Sequence, residues 1–221
     1  MKTQTSNNNK TVLSEPTLTT QHSNSIQNDA CELIPNLNSK NSVEEQIKQI
    51  TDQLFGRGIN STNRLPEMLN LLDDCADREV GWSVFHKVWN SCDATWNYCD
   101  DLMNFIDTMG IHSEEQTGPP TDYLSPEDRE AFEALPNIIP IYRGCSLSKV
   151  YGLSWTTDRK IAEKFASGHR GISLVDPVIA SLRIPKRHVI GFYTSRKESE
   201  LLINLNVLDF YRVSVKKYYP M

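Results

Sequence analysis

Polar and apolar positions divide the chain into three stretches of different texture. Residues 1–42 are dominated by Ser, Thr, Asn and Gln, as in Asn7-Asn8-Asn9, 17–20 and 36–41, with few aromatics. Such a segment buries too little apolar surface to offset the entropy of ordering, so it reads as a disordered leader. From residue 43 the pattern turns helical. Val43, Ile47, Ile50, Leu54 and Phe55 recur at helical spacing behind Ser42, with Glu45 three residues beyond the Ser, as in a capping box; Gly56 and Gly58 end the run. A second, short helix is expected around 65–76. The most regular stripe follows: Trp82, Phe85, Trp89, Cys92, Trp96, Cys99, Met103 and Ile106, at intervals of three and four. On a single helix these eight side chains would share one face. That face reads as the one packing the helix on its neighbours; a partner-binding seam is the other reading.

The stretch 110–126 contains Gly118-Pro119-Pro120 among polar residues and reads as a linking loop. Ser125-Pro126-Glu127-Asp128 then has the form of a helix start, with Pro in the first turn and acids behind it. From residue 136 the period shortens. The apolar run 138–142 reads as a strand leading into Arg143 and Gly144, 152–157 as a second, and Asp158 opens a helix through Ile161, Ala162, Phe165 and Ala166. The stretches 178–184 and 189–193, around the polar turn Pro185-Lys186-Arg187, and then 198–203 and 207–215 complete a set of strands. Short strands with one inserted helix predict an α+β fold whose core is two packed sheets. The expected organisation is a leader over 1–42, a helical subdomain over 43–135 and a core over 136–221.

Composition adds an asymmetry. Residues 138–221 hold 14 Lys and Arg against 6 Asp and Glu, while the rest hold 9 against 22, within an overall charge of −5 for 221 residues. The basic half suits an anionic ligand; the acidic half neutralises it or draws in a basic target. The five cysteines are scattered, odd in number and without a Cys-x-x-Cys pair, which predicts reduced, mostly buried thiols rather than a disulfide framework or a metal site. There is no run of eighteen apolar residues and no apolar signal core near the start, so neither a membrane span nor a classical secretion signal is expected. A cytoplasmic protein, or one injected into a host cytoplasm, fits these features.

Three short stretches carry the candidate chemistry: Arg143-Gly144, Ser154-Trp155-Thr156 and Glu198-Ser199-Glu200. A guanidinium keeps its charge and bonds two phosphate oxygens at once, which suits a pyrophosphate. Gly144 would let a ligand approach the backbone. On a strand, Glu198 and Glu200 would point to one face and put two carboxylates in one pocket. Breaking a bond at a ribose anomeric carbon passes through an oxocarbenium-like state, which a carboxylate stabilises.

In this order the stretches resemble the Arg-Ser-Glu class of mono-ADP-ribosyltransferases, over roughly residues 138–215. The resemblance implies an ADP-ribosyltransferase-like core in which Arg143, Gly144, Ser154 and Thr156 bind NAD as substrate, with no metal. It implies that Ser154 orients Glu200, that Glu200 stabilises the oxocarbenium, and that Glu198 takes the proton from the acceptor. The family pattern usually reads Ser-Thr-Ser where this chain has Ser154-Trp155-Thr156. A Glu at position 198 implies an arginine of a target protein as acceptor, and Phe192 and Tyr193 fall where the family's target-recognition turn lies. Phe165 reads as helix core or as a ring stacked on nicotinamide; His169 and Arg170 read as a solvated loop or as ligand contacts, and His188 as surface. The rival expectations are an NAD glycohydrolase, with water as acceptor, and an inactive binding module of the same fold. A nucleic-acid acceptor ranks lower, because no known reading motif accompanies the basic residues.

Overall fold

The helices form where the sequence supplies caps and an apolar stripe. The structure, a computed structural model, describes residues 41–93, 95–110, 120–168 and 173–219. The expected leader lies almost wholly outside these residues, as do His169 and Arg170. Helix α1 (Val43–Leu54) opens on the expected capping box: Glu45 N donates to Ser42 Oγ at 3.3 Å, and Ser42 N to Glu45 Oε2 at 3.2 Å. It buries Ile47, Ile50 and Leu54. Helix α2 (Arg64–Leu72) is shorter than its expected span and buries Leu65, Met68 and Leu72.

The long helix expected across the tryptophan stripe is two helices. Helix α3 (Arg78–Trp89) stops at Asn90, a 3-10 turn spans Thr95–Tyr98, and helix α4 (Cys99–Thr108) restarts the chain. Tertiary bonds capture the backbone groups that a continuing helix would use. Arg64 Nη1 donates to the Ser91 carbonyl at 2.7 Å, and Asp93 N donates to the Ser61 carbonyl at 2.6 Å. Asp100 and Asp101 then favour a new N-terminus through the helix dipole. The stripe therefore holds over Trp82, Phe85, Trp89 and Cys92, all buried, whereas Trp96 and Met103 are half-buried and α4 buries Leu102, Phe105 and Ile106. Helix α5 (Pro126–Glu133) begins as expected, with Asp128 N donating to Ser125 Oγ at 3.2 Å.

Strands β1 (Ile138–Ser146), β2 (Ser154–Thr156), β3 (Pro177–Pro185), β4 (Val189–Tyr193), β5 (Glu200–Ile203) and β6 (Ser214–Lys217) form one antiparallel sheet in the order β4-β5-β2-β1-β3-β6, with helix α6 (Arg159–Ala166) between β2 and β3. The α+β class is as expected, but hydrogen bonds join into one sheet what sequence reasoning divided into two. The join is narrow. β1 pairs with β3 from Ile138↔Pro185 to Ser146↔Pro177, yet meets β2 only at Tyr142↔Thr156. The strand expected over 207–215 is instead a 3-10 turn at Leu205–Phe210, where Asn206 N donates to Asn204 Oδ1 at 2.9 Å, followed by β6.

Period-two alternation sorts the strand residues between two cores. Ile139, Ile141, Trp155, Phe192, Leu201 and Ile203 join one apolar cluster. Leu153, Ile190, Tyr193 and Leu202 join the cluster formed by α1 to α4, so the helices and half of the sheet share a core. Each such aliphatic or aromatic side chain adds about 1.5–3 kcal/mol when fully buried. Among the described residues no helix is long and apolar enough to cross a membrane.

One polar bridge crosses the shared core. His86 Nε2 lies 2.8 Å from the Pro120 carbonyl, which can only accept, so Nε2 carries the proton and Nδ1 accepts from the Tyr193 hydroxyl at 2.8 Å. Burial lowers the His86 pKa to about 4, against the raising effects of the Pro120 bond and the Asp128 charge. Between pH 6.5 and about 4 the unfolded chain thus binds a proton that the folded chain refuses, and stability falls as pH falls through that window. Urea unfolding of wild type and His86→Gln is expected to show the gap between them narrow by about 3 kcal/mol from pH 7 to pH 4. An unchanged gap would mean that His86 titrates normally.

Candidate active site

Strand β2 is three residues long and settles the orientation of the central motif. Trp155 turns into the core beneath the sheet, with its indole N–H donating to the Gly152 carbonyl at 2.7 Å. Ser154 and Thr156, one residue to either side, therefore face the opposite way. Antiparallel pairing sets Thr156 opposite Glu200 and Ser154 opposite Leu202. Ser154 reaches Glu200 diagonally: its Oγ donates to Glu200 Oε1 at 2.6 Å. The last residue of α3 meets the same oxygen, Trp89 Nε1 donating at 3.2 Å.

Glu198 arrives by a route that strand alternation does not describe. Strand β5 begins only at Glu200, and Glu198 stands between Lys197 (φ 55°) and Ser199 (φ 44°), both left-handed. These φ values break the i, i+2 geometry expected of a strand, yet Glu198 and Glu200 line the same pocket. The turn that carries Glu198 is bound on several sides. Thr194 N and Oγ1 each donate to Asp128 Oδ1 at 2.9 Å, and Asn90 Nδ2 donates to Ser195 Oγ at 3.0 Å. Thr156 Oγ1 donates to the Glu198 carbonyl at 2.6 Å, and Thr157 N donates to the Ser199 carbonyl at 3.2 Å.

Arg143 is half-buried on β1. Its Nε donates to the Lys149 carbonyl at 3.1 Å, one terminal nitrogen donates to the Ser154 carbonyl, and the guanidinium lies 5.9 Å from the Trp96 ring. Two backbone carbonyls thus set its direction. Gly144 also has a packing role that sequence reasoning did not anticipate. A Cβ there would stand 1.8 Å from the Ala162 carbonyl oxygen and 2.6 Å from Ala166 N, so the missing side chain makes room for α6 against β1. Gly144 still lines the pocket. At Gly152 a Cβ would instead meet the Arg143 guanidinium at 2.5 Å.

These elements enclose a pocket of about 520 Å³, within the usual range for small-molecule sites, about 300–1,000 Å³. It brings together Arg143, Gly144, Ser154, Thr156, Phe165, Glu198 and Glu200. Phe192 and Tyr193 do not belong to it. They are 4% and 2% exposed, Phe192 in the core beneath the sheet and Tyr193 on His86, so neither is placed to meet an acceptor. The bulge between Val189 and Gly191 and the pairing to β5 hold both inside. The residues that follow, 194–199, form the accessible turn. His188 is half-buried against Tyr211.

Burial of its carboxyl raises the Glu200 pKa; the bonds from Ser154 and Trp89 lower it, the Glu198 charge raises it and the Arg196 charge lowers it. Cys92 also lines the pocket, but burial pushes its thiol up to about 11, which leaves it protonated and unreactive at neutral pH. Among the described residues no group of three or more His, Cys, Asp or Glu side chains could hold a metal ion.

Sequence reasoning missed Trp89, Arg196, Asp128 and Asn90. Trp89 was legible only as a core stripe residue, and Asp128 only as a first-turn acid. Arg196 stands two residues before Glu198, and that proximity was the available signal.

The two glycines separate packing from ligand contact. Gly144→Ala is expected to lose about 3 kcal/mol or more in urea unfolding, because the obstacle is backbone. Gly152→Ala would meet side chains, the Arg143 guanidinium at 2.5 Å and the Trp96 ring at 3.1 Å, rather than backbone, and should cost less than Gly144→Ala. Equal losses would contradict this account of the two positions.

No protein-family model, curated protein or solved structure matches this chain.

Proposed function

We propose that this protein is a mono-ADP-ribosyltransferase that moves ADP-ribose from NAD to an arginine side chain of a target protein and releases nicotinamide. The observation that carries the reading is the 2.6 Å bond from Ser154 Oγ to Glu200 Oε1, in a pocket also lined by Arg143 and Glu198. The three stretches that carry the family resemblance, far apart in the chain, supply side chains to one cavity. The α+β class is compatible with the proposed family, and the likeness to it rests on these motifs. The setting proposed is a cytoplasm, its own or a host's.

In this mechanism Arg143 bonds the NAD phosphates or the ribose through the donors left over from its two carbonyl bonds. The C1′–N bond to nicotinamide breaks and its electron pair goes to the pyridinium ring, giving neutral nicotinamide and an oxocarbenium at C1′. Ionised Glu200 stabilises that charge through a ribose hydroxyl. A guanidinium nitrogen of the acceptor attacks C1′, and Glu198 receives the proton it loses. The turn that carries Glu198, also exposing Ser195 and Lys197, borders the acceptor side.

Glu200→Gln should lower nicotinamide release from NAD by about 100-fold or more, as loss of a transition-state charge contact does. Unchanged release would sink the assignment. Glu198→Ala should abolish transfer to arginine while sparing part of the hydrolysis, and equal loss of both would contradict the division of roles. The acid limb of hydrolysis reports ionisation of Glu200 and should lie above the ordinary glutamate range, since its pKa is raised. Glu198→Gln removes a raising charge and should move that limb to lower pH; Arg196→Gln removes a lowering one and should move it higher.

A further inference from the structure

The geometry points to Trp89 as a positioning residue for Glu200: its indole N–H holds one carboxylate oxygen and leaves the other to the pocket. Trp89 Nε1 and Ser154 Oγ donate to the same atom, Glu200 Oε1, at 3.2 Å and 2.6 Å. An indole N–H can only donate, so the contact has one sense. The terminal torsion of a glutamate is otherwise broad. Two donors from different elements, α3 above and β2 beside, confine it, and no hydrogen bond among the described residues reaches Oε2.

Trp89 is itself confined. It is 3% exposed, and the Phe85 ring packs 5.4 Å away with a 32° tilt. A rigid ring delivers its N–H with little loss of freedom, unlike a long flexible donor. The bond also acts on charge. It favours the ionised carboxylate against burial and the Glu198 charge. The other ionisable groups around this carboxylate are Arg196 near Glu198, Cys92 and Asp93 after α3, Tyr142 and Arg143 on β1 and Tyr193 on β4. Through Trp89 the helical part of the chain, where no catalytic motif lies, contributes to the site.

The consequence for turnover rests on the transferase reading; the hold on the carboxylate does not, and the test separates them. In wild-type protein labelled with ¹⁵N-tryptophan, the Trp89 indole N–H resonance, identified by its loss in Trp89→Phe, should follow the titration of Glu200 and cease to do so in Glu200→Gln. A resonance blind to that titration would overturn the inference. Trp89→Phe keeps an aromatic ring and loses the donor. Its kcat for nicotinamide release should fall about 10- to 100-fold, the worth of a hydrogen bond to a charged group, with KM for NAD within about twofold and the acid limb moved to higher pH. A fall in kcat with an unmoved limb, or one that only tracks lost folded protein, would reduce Trp89 to packing. Wild-type protein that releases no nicotinamide, but whose indole still follows Glu200, would refute the transferase reading and uphold the contact.

Discussion

The site depends on a half-buried carboxylate with two donors fixed to one of its oxygens. Burial alone works against an ionised Glu200, and a buried carboxylate without partners would take up a proton. Ser154 and Trp89 oppose that tendency on Oε1, and the Arg196 charge opposes it as well. The rest of the fold can be read as the means of holding those donors still. β2 is only three residues long, but Trp155 anchors it in the core, and antiparallel pairing with β5 brings Ser154 within reach of Glu200. The single register pair Tyr142↔Thr156 ties this half of the sheet to β1, and with it to Arg143.

The turn that carries Glu198 has the opposite character. Two non-glycine residues there adopt the left-handed region, at a cost of about 1–2 kcal/mol each. The conformation is held by bonds from three directions: Asp128 of α5, Asn90 after α3, and Thr156 with Thr157 after β2. Glu200 thus projects from a strand, and Glu198 from a strained loop clamped to its neighbours. In the proposed transferase, that difference suits a group that meets the sugar and a group that meets a variable acceptor.

Much of the fold was legible because its cues are local. Ser42 with Glu45, Ser125 with Pro126, and the apolar runs across β1, β3 and β4 each specify their element within a few residues. The misreadings share a cause: long-range bonds overrode a local period. Arg64 and the Ser61 carbonyl end α3 where the stripe ran on, and a thin pairing at Tyr142 and Thr156 unites two half-sheets that no local pattern joins. For the candidate site, residue types in sequence order singled out Arg143, Ser154, Glu198 and Glu200, which line one pocket. Trp89 lies 111 positions from Glu200, and within its own helix its place in an apolar stripe is fully explained by packing, so the sequence offered no reason to assign it a polar contact.

The central claim is that this pocket cleaves NAD and passes ADP-ribose to arginine. The most direct measurement incubates purified protein with NAD labelled in the adenylate half, together with a cell lysate, and follows free nicotinamide and labelled protein together. The account predicts both signals, with the protein label removed by hydroxylamine treatment that cleaves arginine linkages. Recovery of intact NAD, or nicotinamide release with no protein labelled in bacterial or eukaryotic lysate, would contradict it.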